Sequence, residues 1–338
     1  MSWELQPISI FSDYRESWDA LNEANYRSPL LESRFYQPQI THFGDDSLEL
    51  AIFRDGNSIA AITILRKTNF GSWETFQPSQ APIGAWIADK KLDVATLLTQ
   101  LANTLPGFAG SIGITQQDPQ LYPRPQDQGA LGTLDYIRTA KVPAEGTFDD
   151  YWSQRGKNLR QNIKRQQNRL EREKVNTRLE IVTEADSVKE CIVEYGELET
   201  AGWKASKGTA VNIDNEQGKF YCDLLEEYAR TQQCYICKFF YDDKLVAMDL
   251  CIEAFGTLVI LKTSYDESQK TSSPALLMRR NSFVIFFDSP KIKTIEFYGK
   301  VMDWHTKWSN DIRVMYHINF MASGLFAMLR SMIKLIKK

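Results

Sequence analysis

Histidine and cysteine are scarce in this sequence, with three and five residues among 338, and no apolar run is long enough to cross a bilayer. The odd number of cysteines, all in segments predicted as helices or strands, favours reduced thiols in the cytosol. Cys234 and Cys237 have C-x-x-C spacing, but no second pair with the spacing of a zinc site accompanies them. We therefore expect packed cysteines and no bound metal.

The N-terminal residues also lack the basic start and the apolar run of a signal peptide. The composition, 43% hydrophobic and 25% charged, is typical of a soluble globular protein that buries substantial cores. A length of 338 residues suits two domains. These features together predict a cytoplasmic protein with two domains.

Charge is unevenly distributed along the chain. Residues 1–150 carry 11 Lys and Arg against 19 Asp and Glu, whereas the remainder carries 29 against 24. The second half is therefore basic within a protein whose formal net charge is −3. We expect any anionic ligand to bind the second half.

A long and strongly basic helix is predicted to begin at Thr147, which has the spacing of a capping box with Asp150. Its apolar residues fall on one narrow stripe, made of Phe148, Trp152, Leu159, Ile163 and Leu170. The other faces carry eight Arg and Lys residues between positions 155 and 174, against Glu171 and Glu173. Such a helix either binds RNA, an anionic membrane surface or the phosphates of a cofactor or acyl carrier, or presents a solvated face.

A strand, a polar loop and a buried helix are predicted over residues 257–287. Pro274 suits the first helical position, with Ser273 as the N-cap. Because the first N–H groups of a helix have no partner within it, such a connection can bind an anion. The alternative is an ordinary connection between a strand and a helix.

If the anion is the phosphate of a substrate with a phosphorylated arm, the contacts that it would make can be named. We expect its phosphate at the Ser272 and Ser273 side chains and at the N–H groups of Ala275 and Leu276. The nearest cations follow one turn later, and one of the two could reach back: Arg279 or Arg280.

The domain junction is predicted in a Pro- and Gly-rich stretch over residues 116–146. We place the domains at 1–146 and 147–319. Residues 320–338 follow with apolar residues, Arg and Lys but no acidic residue. This tail is either an amphipathic helix at a membrane surface or a closing helix packed on the second domain.

The predicted order of elements in the second half is helices, a three-strand meander, strand–loop–helix and further strands. Four motifs accompany it. They are the basic helix, Gly202-Trp203-Lys204 with Lys207-Gly208-Thr209, residues 245–252 followed by Tyr265 and residues 274–277, and Glu296-Phe297-Tyr298-Gly299 before an aromatic and basic segment. The order resembles the GNAT acyltransferase fold, and the motifs resemble the FemAB-like and cellulose-biosynthesis CelD-like branch of that superfamily. The resemblance covers roughly residues 147–319.

The resemblance implies an α/β (α+β) protein of tandem GNAT-like domains, the first one degenerate. Each domain would have a mixed, mostly antiparallel central sheet flanked by helices. The sequence departs from the family where residues 269–274 replace the glycine phosphate loop without any glycine. It departs again at Glu296, where the branch usually has Asp, and at residues 304–308, where Trp-His-Thr-Lys-Trp replaces Tyr-Lys-x-x-Phe.

Acyl transfer to an amine requires a base for the amine, stabilisation of the oxyanion and an acid for the departing thiolate. No Ser-His-Asp pattern is visible, which favours direct attack within a ternary complex. His305 is expected to titrate near neutral pH, and burial would raise the pKa values of Glu296 and Asp249, two carboxylates in apolar strands. Tyr265 is the candidate acid. Alternatively, the carboxylates face solvent and His305 is structural.

The family motifs also imply substrate contacts at Trp203, Lys204, Trp304 and Lys307. The leading hypothesis is an N-acyltransferase that moves an acyl group from acyl-CoA or an acyl carrier protein. Its acceptor would be an amine of a sugar or peptide precursor of the cell envelope or an exopolysaccharide, and the enzyme would work at the inner face of the membrane. Two alternatives remain: aminoacyl transfer from charged tRNA, as in the Fem enzymes, and a non-catalytic subunit of a polysaccharide or envelope complex.

Overall fold

The computed structural model describes residues 1–69, 71–200 and 211–322. These residues form two compact units, one of Met1–Arg138 with the described residues from Arg313 onward, and one of Thr139–Ile312. The units meet after Arg138 and after Ile312, whereas the predicted domain limits are residues 146 and 319. The predicted contacts of Trp203 and Lys204 lie outside the described residues, as does most of the tail, residues 323–338.

The first unit is built on a mixed sheet with helices packed against it. Its first strands are β1 (Ser2–Pro7), β2 (Glu49–Asp55), β3 (Ser58–Asn69), β4 (Ser72–Thr75), β5 (Trp86–Ala88) and β6 (Ser111–Gln117). Its helices are α1 (Arg15–Asn25), α2 (Ser33–Phe43) and α3 (Val94–Thr104). Paired strands run antiparallel, except β4 and β6, which run parallel.

The second unit contains another mixed sheet. Its strands are the end of β7 (Leu131–Pro143) from Thr139 onward, β8 (Thr177–Val182), β9 (Cys234–Tyr241), β10 (Lys244–Ala254), β11 (Thr257–Tyr265) and β12 (Thr294–Glu296). They pair in the order β8-β9-β10-β11-β12-β7, with residues 141–143 of β7 on β12. The pairs are antiparallel except β11 with β12. The predicted α/β class with mostly antiparallel sheets is confirmed.

Helices cover both faces of this second sheet. They are α4 (Phe148–Ser153), α5 (Lys157–Arg172), α6 (Ala185–Thr200), α7 (Glu216–Ala229), α8 (Pro274–Asp288) and α9 (His305–Trp308). On β11, Lys262 pairs with Glu199 of α6, whereas the next residue, Thr263, accepts a hydrogen bond from Arg279 of α8. Because side chains alternate along a strand, α6 and α8 lie on opposite faces.

The basic segment differs from its prediction in one respect. The Thr147 hydroxyl accepts the Asp150 N–H at 3.1 Å, as the capping box predicts, and Leu159, Ile163 and Leu170 are buried. The prediction of a single long helix is wrong, however, because residues 154–156 separate α4 from α5. Gly156 has the extended backbone of an N-cap, with φ −54° and ψ 138°. Glycine is a poor helix residue and a good N-cap, so the helix restarts there.

A strand from the end of the described chain completes the first sheet. This strand, β13 (Asp311–Met321), pairs antiparallel with β6 between Tyr316 and Met321. Near its start, Arg313 donates to the buried carboxylate of Asp118, with Nη2 2.5 Å from Oδ2. The first unit is therefore assembled from two separate stretches of sequence.

Candidate functional site

The sheet of the second unit opens between β11 and β12. β12 pairs with only the first three residues of β11, Thr257 to Val259. The chain leaves the sheet after Glu296, and Tyr298 has a φ of 44°. β11 continues to Tyr265 and then enters α8 through a 3-10 turn, Glu267–Ser272. The far half of β11 and residues 297–305 therefore flank the position where strand pairing stops.

A buried ion pair lies between the sheet and α8 beside this opening. Nη2 of Arg279 is 3.0 Å from both carboxylate oxygens of Asp249 on β10, and each side chain is 2% exposed. Thr263 joins the pair, since its hydroxyl accepts from Arg279 at 2.9 Å and donates to Asp249 at 2.5 Å. Arg279 is thus bound to Asp249 and does not reach back to the start of α8. This leaves Arg280 for the predicted phosphate contact.

Aromatic side chains surround the Arg279 guanidinium. Its central carbon lies 4.8 Å from the ring centre of Trp304 and 5.6 Å from that of Phe297. The His305 ring stacks on Trp304, and its edge contacts Phe297 with 5.1 Å between ring centres. Cation–π attraction joins the charged pair to the segment after β12. The structure therefore brings together three predicted residues: Asp249, Trp304 and His305.

His305 does not have the acid–base properties that the sequence predicts. Burial and the nearby Arg279 charge lower the pKa of His305 to about 4. Its Nδ1 accepts the Met302 N–H at 2.9 Å, so the ring proton of the neutral form belongs on Nε2. The expected titration near neutral pH is therefore wrong. At neutral pH His305 can donate a hydrogen bond from Nε2.

The two candidate carboxylates are both buried but do not converge. Glu296 is 4% exposed at the end of β12, opposite Val259 of β11, so the solvent-facing alternative does not hold for it. Asp249 lies opposite Thr263, four residues farther along β11. That offset is roughly 13 Å at the rise of a strand, and β11 separates their two strands. Tyr265 ends β11 on the same face as Thr263.

The connection into α8 offers fewer anion contacts than the sequence predicts. The Ser272 side chain is buried, and its hydroxyl donates to the Gln269 carbonyl at 2.7 Å and accepts from Tyr241 at 3.1 Å. The Leu276 N–H donates to the Ser273 carbonyl at 3.0 Å. Neither group is available to a phosphate, because both already have partners inside the protein.

Ser273 occupies the N-cap position, but not with the expected geometry. Its φ is 56°, and its side chain makes no capping hydrogen bond. Within the described chain, the Ala275 N–H has no hydrogen-bond partner, and Pro274 has no N–H. Ser273 and Ala275 therefore remain as the groups at this helix start that could meet an anion, with Arg280 half-buried one turn later.

The described residues contain no cluster of His, Cys, Asp and Glu side chains that could hold a metal ion. Over the same residues, none of the helices combines the length and the apolar character that a membrane crossing requires. All five cysteines are buried and free. Lys307 is exposed on α9, two residues after the buried His305.

A family comparison identifies this part of the chain. Residues 157–303 match the family model described as the acetyltransferase (GNAT) domain. The matched span contains α5, the Asp249–Arg279 pair and the start of α8. Residues 157–303 of this chain therefore form a GNAT domain, and this domain supports an acyltransferase activity. No curated protein matches its sequence.

Solved structures share the fold over nearly the whole chain. FemX superposes with a TM-score of 0.60 at 8% identity, covering 93% of this chain and 98% of FemX. The C-terminal DUF2156 domain of a putative lysylphosphatidylglycerol synthetase from Agrobacterium fabrum gives 0.57 at 12%, covering 95% of each chain. L-PGS from Bacillus licheniformis gives 0.55 at 13%, also covering 95% of each. These superpositions establish a common fold, and at such low identity they establish no more than that. The fold agrees with the predicted FemAB-like resemblance.

Thr263 and Phe297 belong to the ionic and aromatic cluster of the GNAT domain but were not predicted as site residues. A signal for the ion pair was present, since Asp249 and Arg279 are charged residues of opposite sign in elements predicted to be buried. Buried charges require partners, so the two could have been matched to each other. Nothing in the sequence points to Thr263, because its role depends on the register between β10 and β11.

Proposed function

We propose that this acyltransferase transfers an acyl group from acyl-CoA or an acyl carrier protein to an amine of a cell-envelope or exopolysaccharide precursor. The observation that carries the proposal is the connection from β11 into α8, where the Ala275 N–H has no partner in the described chain. That N–H lies at the start of a 15-residue helix, whose dipole adds roughly half a positive charge. A phosphate of the donor arm suits this position.

The proposed donor site consists of the Ser273 side chain, the Ala275 N–H and Arg280. Arg280 is half-buried, and its guanidinium lies 5.5 Å from the Phe148 ring centre. A modest rotation of this long side chain would suffice to meet a phosphate at the helix start. The donor's thioester would then extend along the far half of β11 into the opening of the sheet.

The proposed reaction is direct attack by the acceptor amine on the thioester carbonyl. A C–N bond forms, the C–S bond breaks, and the amine proton passes to a base, for which buried Glu296 is the candidate. The neutral His305 ring would donate from Nε2 to the tetrahedral oxyanion. Tyr265, at the end of β11, lies six residues from Val259, the partner of Glu296, which is roughly 20 Å at the rise of a strand. The departing thiolate would therefore take its proton from solvent.

The proposed acceptor contacts are Trp304 and Lys307 together with Trp203 and Lys204. Trp304 is half-buried over the Arg279 guanidinium, and Lys307 is exposed one turn later. For a precursor made at the membrane, we propose that residues 320–338, rich in Lys and apolar side chains, hold the enzyme at the inner membrane face.

Calorimetry and thiol release test the donor. We expect saturable heats with acetyl-CoA or a longer acyl-CoA, and release of free CoA thiol when amino sugars or amine-bearing peptides are supplied. The control is the same titration with CoA lacking an acyl group, which should bind without turnover. If no thioester donor binds, the proposal fails. Binding of charged tRNA in the same titration, without thioester binding, would favour the second candidate, aminoacyl transfer.

A further inference from the structure

The exposed face of α5 is cationic along its whole length. The helix carries six Lys and Arg residues against Glu171 alone. They are Lys157, Arg160, Lys164, Arg165, Arg169 and Arg172. Its apolar residues, Leu159, Ile163 and Leu170, are all buried, and it contains no aromatic residue. The outer surface of α5 is therefore made of cations and amides, with Glu171 as the one carboxylate of the helix.

Most of these cations are available to a partner. Within the described chain, Lys157, Lys164 and Arg172 make no ion pair, whereas Arg169 pairs with Glu173 at 2.8 Å. A depression of about 450 Å³ lies on this face and is lined by five polar side chains: Gln161, Lys164, Arg165, Asn168 and Arg172. Uncompensated charge of one sign on a concave surface attracts an anionic partner.

The C-terminal end of α5 adjoins the proposed donor site. Burial raises the pKa of Tyr241, and the nearby Arg169 charge opposes that effect. The same Tyr241 hydroxyl donates to Ser272, the residue before Ser273 at the start of α8. Just after α5, the Asn176 N–H donates to Asp242 in the turn between β9 and β10. A partner lying along α5 would therefore end close to the entry of α8.

We propose that this face of α5 docks the acidic helix of a carrier protein, which presents the acyl group on a phosphopantetheine arm. This inference rests on the proposed function and assigns its donor. Side chains on one face of an α-helix recur at the same spacing in every helix. Carboxylates one turn apart on a partner helix can therefore meet cations one turn apart on α5. The carrier's phosphate would then lie near Ser273 and Ala275.

The length of the cationic face of α5, and the types of side chain on it, favour a carrier protein over other anions. Lys157 and Arg172 are separated by 15 residues, roughly 22 Å along the helix axis. That span exceeds what the few phosphates of a nucleotide such as CoA need. α5 offers no aromatic ring for stacking unpaired bases and no exposed apolar side chain for insertion between lipids.

Fluorescence anisotropy of the full chain with a labelled bacterial acyl carrier protein in its apo form tests the docking. The apo form carries no thioester, so docking is measured separately from acyl transfer. We expect Lys164→Glu/Arg172→Glu to raise the Kd at least about tenfold. Lys189→Glu/Lys291→Glu, which reverses two exposed charges elsewhere in the second unit, should leave the Kd within about twofold.

Acetyl-CoA binding by calorimetry should be unchanged in the α5 variant, with an unchanged Tm as the check on folding. Absence of carrier binding by the unmodified protein, or equal Kd values for both double variants, overturns the docking proposal. It is also overturned if the α5 variant loses acetyl-CoA affinity equally. Tighter binding of a 20-nucleotide RNA or of phosphatidylglycerol vesicles, lost in the same variant, assigns the face to that partner instead. If neither acetyl-CoA nor an acetylated carrier supports transfer while the apo carrier docks, the proposed function fails and the docking stands.

Discussion

Arg279 on α8 donates through one nitrogen, Nη2, to both carboxylate oxygens of Asp249 on β10, at 3.0 Å each. The pair is almost fully buried, and Arg279 also lies against Trp304 and Phe297. One guanidinium therefore connects the sheet, α8 and the segment that follows β12. Because these three parts flank the opening of the sheet, the geometry of the candidate site depends on this pair.

Removing one member of the pair should be costly. Arg279→Met or Asp249→Leu alone leaves a buried charge without its counter-ion, so we expect the free energy of unfolding to fall by about 3–5 kcal/mol in each variant. The double variant should lose clearly less than the sum, since it buries no charge. Urea denaturation of all four proteins measures this coupling. Strictly additive losses would contradict the proposed interdependence.

His305 should make the protein sensitive to mild acid. Its pKa is about 4 in the fold against an ordinary 6.5, so the unfolded state binds more protons between those pH values. Stability is therefore greatest above about pH 6.5 and decreases as the pH falls towards 4. Between pH 7 and pH 5 we expect the free energy of unfolding of His305→Gln to fall by about 1–2 kcal/mol less than that of the unmodified protein, after allowance for solvent screening. If the free energy of unfolding falls equally in the two proteins across this pH range, His305 is not the source of the acid sensitivity.

A negative charge at Ser273 should repel the donor without unfolding the protein. The position has a φ of 56°, which Asp and Asn tolerate better than other side chains do. We expect Ser273→Asp to lower acyl-CoA affinity at least about tenfold, roughly 1.4 kcal/mol, with an unchanged Tm. Ser273→Asn is the matched neutral control and should bind the donor nearly as well as the unmodified protein. Equal affinity in the Asp variant would show that the phosphate lies elsewhere, with α5 as the next place to test.

Gly218, in the first turn of α7, allows a close backbone contact. A Cβ added there would lie 1.9 Å from the Asn212 carbonyl oxygen. Because a backbone atom cannot move away as a flexible side chain can, Gly218→Ala should cost at least about 1–3 kcal/mol. Gly156→Ala is the control, since no atom lies within 4 Å of its added Cβ, and it should cost less than about 1 kcal/mol as a changed N-cap. Thermal unfolding of both variants decides the comparison.

Local patterns in the sequence predict much of the second unit. The start of α8 follows from Pro274, whose fixed φ suits a first helical position. The buried side of α5 follows from the spacing of Leu159, Ile163 and Leu170. Such features depend only on neighbours along the chain, so the order of residues is enough to predict them.

The remaining features depend on contacts between distant residues. Ser272 is unavailable to a ligand because Tyr241, 31 positions away, donates to it. His305 stays neutral because tertiary burial and Arg279 act on it together. The sequence indicates that these residues lie near a site, but it does not determine their protonation or their partners, since both are set by the packing of separate elements.

The pairing of β13 with β6 has a consequence for the order of synthesis. A ribosome releases residues 139–312, a continuous stretch, before it releases Tyr316–Met321, the strand segment that completes the first sheet. Until then β6 presents an unpaired edge, and Asp118 lacks its partner Arg313. Nascent chains that stall between these points would expose that edge to other chains. The protein should therefore depend on chaperones, or on rapid elongation, while the ribosome synthesises residues 139–321.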